Sequence, residues 1–399
     1  MNKYIRQLNN IASKPSRRII GLMSGTSLDG LDIVLCKIKQ HGVDTQLELE
    51  NFITVPYDED FKMEVKTVFA KGLVSLQQLC LLNEWIGKRH AEMINDCLQQ
   101  WQIAKTDVDL IASHGQTIFH APLSHHQNEK FGNGTMQIGD GDQIAVNTGI
   151  ITISDFRQKH IAAGGEGAPL AAYGDYLLFK EKNSNIILLN IGGIANFTFL
   201  PAGPQPSGIF STDTGPGNTM MDAWMQLNFA GQYYDDGAAI AVQGKVNENL
   251  LQALLQNDFF KKALPKTTGP ELFNMTYLNE ALEKSNTVQI STEDVMATLN
   301  RFTADTICAA ILPVLKEGST KIYLSGGGLH NPLLLHQLKL KLQGVNIQST
   351  AEKNINPDAK EAILFAVLAN ECVSGNANSF LSGVKNFPAT GMGKISLPG

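Results

Sequence analysis

The chain has 399 residues, 43% apolar and 18% charged, with a formal net charge of −6 at pH 7. That balance excludes a disordered chain, and without a Lys/Arg block there is no nucleic-acid footprint. No run approaches about 18 consecutive apolar residues, so no membrane span is expected.

Single hydrophobic cores rarely grow past about 250–300 residues, so the length predicts two lobes. In chain order, the polar segment 1–18 lacks an apolar core of signal-peptide length and reads as a short extension before the fold. Strands are predicted over 18–23, 31–39 and 47–55, the first two flanking a glycine loop as antiparallel neighbours. Helices follow over 58–70 and 75–102. Strands over 108–113 and 150–154 enclose a polar, glycine-rich stretch, 131–142. A helix starts near Pro169, because proline suits a first helical turn. Strands over 185–191 and 194–200 come next, and a strand over 208–211 leads to a helix near Asn218. A long helix over 291–316 carries Val295, Leu299, Phe302, Thr306 and Ala309 on one face, with Pro313 bending or ending it. A strand over 321–325 and helices over 331–343 and 358–372 complete an α/β protein. The segments near 19 and 185 share one plan: apolar strand, tight glycine turn, second apolar strand. That faint repeat suggests two related lobes.

The five cysteines (Cys36, Cys80, Cys97, Cys308, Cys372) are scattered without a C-x-x-C pair and read as free thiols in a reducing cytoplasm. The 36 glycines are more informative, because many cluster in short loops where backbone must approach something closely. The first cluster is GLMSGTSLDGLD, Gly21 to Asp32. Its Ser24, Gly25, Thr26, Ser27 and Gly30 offer N–H and hydroxyl donors to a phosphate chain, with Asp29 and Asp32 in reach of Mg²⁺. It reads equally as a hairpin turn with two Asx caps. The second, NIGGIAN from Asn190 to Asn196, is a further phosphate loop or a tight hairpin. The third, TDTGPGN from Thr212 to Asn218, sets the carboxylate of Asp213 at a strand end, where it suits a general base or a turn cap. The fourth, SGGGLHNP from Ser325 to Pro332, lets a flat ring lie on backbone or makes an ordinary strand-to-helix turn. In DAKEA, from Asp358 to Ala362, a capping-box variant accounts for Glu361. His114 closes a strand; His120, His125 and His126 lie in a polar stretch without metal-ligand spacing.

Together these strings, with SHGQTIFHAP, MQIGDGDQIAVNTGI, DFR at 155–157 and GAPL at 167–170, resemble the anhydro-N-acetylmuramic acid kinase family from Arg18 onward. The resemblance implies a two-lobed actin-like ATPase (ribonuclease H-like) fold with ATP and sugar in the interlobe cleft. It implies lobes of 1–155 plus 384–399 and of 156–383, a homodimer, and a cytoplasmic place in cell-wall recycling. The implied reaction opens the 1,6-anhydro ring of 1,6-anhydro-N-acetylmuramic acid with water and phosphorylates O6, using ATP and Mg²⁺.

By the same resemblance, Gly25, Thr26, Ser27, Leu28, Asp29, Gly30, Leu31 and Asp32 face the ATP phosphates, Asp29 and Asp32 also serving Mg²⁺. Asn190, Gly192, Gly193 and Asn196 form the other phosphate hairpin, and Gly326, Gly327 and Gly328 flank adenosine. Asp213 is the base that activates water. His114, Gln116, Thr117, Asp155, Arg157 and Glu361 surround the sugar, with Arg157 a partner for the lactyl carboxylate. Two positions depart from the family pattern: His160 stands where aspartate is common, and Glu166 where glutamine is common. The rival readings are a related anhydro-sugar kinase, such as one for levoglucosan, and a non-catalytic ATP-binding regulator on the same fold.

Overall fold

Strands β1 (Ser16–Ser24) and β2 (Gly30–Lys39) pair antiparallel from Ser16↔Lys39 to Ser24↔Leu31, leaving 25–29 as the loop between them. β3 (Gln46–Pro56) pairs antiparallel with β2. β4 (Leu110–Ala121) then runs parallel to β1 on its other side. The computed structural model describes residues 2–168, 170–203, 208–315, 319–353, 355–356, 358–375 and 388–399. The predicted helix start at Pro169, and residues 384–387 of the predicted first lobe, lie outside that set.

The chain divides into two units, Met1–Phe179 with Asn354–Gly399, and Lys180–Lys353. Residues 156–179 and the helix Lys360–Ser374 therefore go with the first unit, where the sequence reading puts them in the second lobe. In unit 1, β5 (Gly134–Ile138) pairs antiparallel with β4, and β6 (Thr152–Ser154) runs parallel to β4. Unit 2 holds β7 (Ser184–Ile191), β8 (Ile194–Leu200), β9 (Phe210–Pro216), β10 (Ser319–Ser325) and β11 (Asn346–Ser349). The last strand, β12 (Lys394–Ser396), returns to unit 1 and pairs antiparallel with β6.

The two sheets share one plan. In unit 1 the order is β12-β6-β4-β1-β2-β3, and in unit 2 it is β11-β10-β7-β8-β9. Each has three antiparallel strands, then two more running parallel to the first on its far side. The fold is α/β, with the same strand order in both units.

Several elements differ from the sequence reading. The polar N-terminal segment is a helix, Lys3–Ala12, that buries Ile11 and donates Tyr4 Oη to the Gly399 carbonyl at 2.9 Å. β4 runs on to Ala121 because β5, inside the glycine-rich stretch, gives residues 116–121 a partner. The helix Gly141–Thr148 follows, capped by Asp140 accepting from the amides of Asp142 and Gln143. β9 continues through Asp213 to Pro216, past the predicted end at 211. The 360–374 helix has Ala359 at its N-cap with no side-chain cap bond, so the capping-box account of Glu361 does not hold. The stretch Thr292–Val314 is long and apolar enough to cross a membrane, yet 78% of its most apolar window is buried inside unit 2, as in a core helix.

Candidate active site

In unit 1 the glycine loop rests on a buried row of polar groups. Gln116 Oε1, on β4, accepts from Ser24 Oγ at 2.5 Å, and its Nε2 donates to the carbonyls of Gly25 and Thr117 at 3.3 and 3.2 Å. Tyr57 Oη donates to Ser24 Oγ at 2.7 Å and lies 3.1 Å from His90 Nε2. A phenol has one proton, so with Tyr57 donating to Ser24, His90 Nε2 is the donor to Tyr57. The row thus points one way, from His90 to the Gly25 carbonyl. Burial lowers His90 to about 4, which keeps the ring neutral.

Above that row, Thr26, Ser27 and Asp29 are exposed, while Leu28 is buried with φ of 60°. Asp32 accepts from Thr54 Oγ1 at 2.6 Å. Burial raises its pKa, and the charges of Asp358 and Asp29 push the same way against the Thr54 hydrogen bond. The loop edge is therefore acidic and open. Among the described residues no three His, Cys, Asp or Glu side chains converge to hold a metal alone. One or two carboxylates suffice for Mg²⁺ when phosphates supply further oxygens, so Asp29 and Asp32 fit that ion.

A cavity of about 440 Å³ brings Gly25, Thr26 and Ser27 together with His114, Thr117, Arg157 and Glu361. Ser24 of the same loop also lines it, as do His120, Thr135 and Gln137, which sequence reasoning did not assign to the site. Thr135 and Gln137 are alternate residues of β5, hence on one face, and were hidden with that strand. Arg157 is fixed at two nitrogens: Nε donates to His114 Nε2 at 3.0 Å, and Nη1 to the Gly167 carbonyl at 2.7 Å. Burial, and then the Arg157 charge, lower His114 to about 3. Glu361 is open to solvent yet crowded by protein, which raises its carboxyl; Lys360 and Arg157 pull the other way. Two predicted sugar residues are not on the cavity wall. Gln116 lies behind it in the buried row, and Asp155 is in an ion pair with Lys394 of β12. Glu166 is exposed and outside the lining, whereas His160 is buried against the 165–167 loop.

In unit 2 three glycine motifs fold onto one another. The amides of Asn218 and Gly217 donate to the Gly192 and Gly193 carbonyls, both at 2.8 Å. A Cβ on Gly217 would lie 2.2 Å from the Gly192 carbonyl oxygen, so only glycine allows this approach. Gly326, at φ of 85°, lies so close to Asn190 that a Cβ would meet its Oδ1 at 2.7 Å. Ser325 Oγ donates to the same Oδ1 at 3.3 Å. A cavity of about 470 Å³ opens beside Asn218, Gly327 and Asn331, with Asp222 on its wall. Burial pushes Asp222 up to about 6.

Asp213 stands on β9 opposite Asn196 of β8. Its Oδ2 accepts from the Thr268 amide at 2.8 Å, and Oδ1 has no partner among the described residues. Burial raises this carboxyl, Glu271 adds to the rise, and the Thr268 amide opposes it. A carboxylate held at one oxygen, open at the other and raised by burial is able to accept a proton.

The family model for anhydro-N-acetylmuramic acid kinase matches residues 17–394. The chain belongs to the anhydro-N-acetylmuramic acid kinase family. It is 57% identical over 400 residues to the anhydro-N-acetylmuramic acid kinase of Pseudoalteromonas atlantica, covering 100% of both chains. It is 38% identical over 396 residues to that of Caldanaerobacter subterraneus subsp. tengcongensis, covering 98% of this chain and 100% of the relative. Among solved structures it is similar, at a TM-score of 0.36 and 10% identity, to the activator of the 2-hydroxyisocaproyl-CoA dehydratase from Clostridium difficile with bound ADPNP, covering 90% of this chain and 96% of that one. As a member of this kinase family the chain is an enzyme of phosphoryl transfer.

Proposed function

We propose that the chain opens the 1,6-anhydro ring of 1,6-anhydro-N-acetylmuramic acid with water and phosphorylates O6 from ATP, giving N-acetylmuramic acid 6-phosphate and ADP. Family membership across residues 17–394 supports the substrate class. The state of Asp213, open at Oδ1 and raised by burial, carries the mechanism.

In the anhydro ring O6 is bonded to C1 and bears no proton, so the base acts on water. Asp213 Oδ1 takes a proton from that water, whose oxygen bonds to C1. The C1–O6 bond breaks, O6 takes the γ-phosphoryl group, and ADP leaves. The bare backbone at Gly25, Gly192 and Gly193 suits the phosphates, and the cavity beside Gly327 suits the nucleoside. Asp29 and Asp32 would hold Mg²⁺, whose charge offsets that of the transferring phosphoryl group. Arg157 would meet the lactyl carboxylate with Nη2, its one nitrogen without a partner among the described residues. The described cysteines are all free, which supports the cytoplasm. A homodimer rests on the resemblance and is read out by sedimentation.

The test is ADP release with Mg-ATP and each of 1,6-anhydro-N-acetylmuramic acid, levoglucosan and N-acetylmuramic acid. Turnover of the first alone is expected. Turnover of levoglucosan alone would move the enzyme to another anhydro sugar, and ATP binding without turnover of any sugar would favour a regulator.

A further inference from the structure

His160 lies on the helix Phe156–Ala162 and is 1% exposed. Its Nδ1 accepts the Gly167 amide at 2.9 Å. An accepting ring nitrogen carries no proton, so the proton of the neutral ring is on Nε2, which is buried with no hydrogen-bond partner. The ring also shapes the loop before Gly167. A Cβ on Gly165 would lie 2.2 Å from the imidazole, so that backbone rests directly on it. The Gly165 amide returns to the His160 carbonyl at 2.9 Å, and the far side of the ring meets Tyr173 edge-on at 5.6 Å between centroids.

Gly167 accepts Arg157 Nη1 through its carbonyl while its amide is held by His160. His114 Nε2 holds Arg157 Nε. With Nε and one hydrogen of Nη1 bonded, the guanidinium plane is fixed, and Nη2 with the second Nη1 hydrogen remains for a ligand. Arg157 makes no ion pair among the described residues, and the carboxyl that bears on its charge, Glu361, stands on the wall of the same cavity. A charge fixed in direction favours a planar anion in one orientation.

We propose that His160 is a positioning residue for substrate charge: by holding the Gly167 amide it sets the loop that aims Arg157 at a carboxylate on the sugar. This rests on the function proposed above. His160 does not touch the substrate, and its effect passes through Gly167 and Arg157.

The variants His160→Asn and His160→Gln separate positioning from packing. An asparagine oxygen reaches the place of Nδ1 and can accept the Gly167 amide; a glutamine oxygen reaches the place of Nε2 and cannot. Binding is measured by calorimetry for 1,6-anhydro-N-acetylmuramic acid and for 1,6-anhydro-N-acetylglucosamine, which lacks the lactyl carboxylate. His160→Gln should weaken the first about tenfold and the second less than about twofold, with His160→Asn close to the parent for both. Equal weakening of both sugars by either variant, or no change by His160→Gln, would overturn the positioning role. Turnover of the anhydro-muramic sugar by the parent enzyme is run alongside. Its absence would defeat the proposed function itself, whereas its presence with an indifferent His160→Gln defeats this proposal alone.

Discussion

Asp213 shows how one residue acquires a role from its surroundings. An ordinary aspartate is a weak base near neutrality; this one is raised by burial, with the Thr268 amide holding only Oδ2. Replacing it with asparagine keeps the shape and removes the proton acceptor. Asp213→Asn should lower kcat by about a hundredfold to ten-thousandfold while binding of an ATP analogue is kept. A base must be deprotonated to work, so kcat/KM should fall as pH drops through a value above the ordinary 3.8 for aspartate. Product formation at the parent rate by the variant would contradict the assignment. Gln116 shows the reverse case: family position suggests a sugar contact, yet its amide is spent on Ser24, Gly25 and Thr117.

At the scale of elements, the strands that carry the glycine loops were legible because an apolar run ending in glycine has few alternatives. β1, β2, β7 and β8 fall within a few residues of their predicted spans. Residues 114–121 and 134–138 were not legible as strands, because His, Gln, Thr and Gly dominate them and each is held by pairing with the other. That hidden hairpin brings Thr135 and Gln137 to the cavity. The N-terminal helix was hidden for a similar reason: it is polar, with Ile11 its one fully buried residue. Motif strings singled out Gly25, Arg157 and Asp213 as candidates, but not the residues packed behind them. The row of Tyr57 and His90, and the use of His160 as a prop, depend on residues far apart in sequence meeting in space.

Across the whole molecule, one strand order occurs twice, and the faint repeat between residues 19 and 185 is its trace in sequence. Unit 1 differs from unit 2 in burying three neutral histidines. His90 and His160 are lowered to about 4 and His114 to about 3, from an ordinary 6.5. The unfolded chain binds these protons first as pH falls, so their contribution is complete above pH 6.5 and is lost progressively toward pH 4. Each ring should cost on the order of 1 kcal/mol per pH unit over that window. The raised carboxyls of Glu361 and Glu371 act in the opposite sense, since their protonation favours the folded state. Thermal melts should show a midpoint that falls between pH 6.5 and 4, and a smaller fall in a His90→Gln variant. A midpoint independent of pH would contradict the buried neutral rings.

The central claim is that water opens the sugar ring while O6 receives phosphate. It is tested most directly by running the reaction with 1,6-anhydro-N-acetylmuramic acid and Mg-ATP in water enriched in heavy oxygen, and locating the label by mass spectrometry. The account predicts one labelled oxygen, on C1 of N-acetylmuramic acid 6-phosphate, and none in the phosphate group. Label in released inorganic phosphate with the sugar unchanged, or a phosphorylated product with no label on C1, would contradict it.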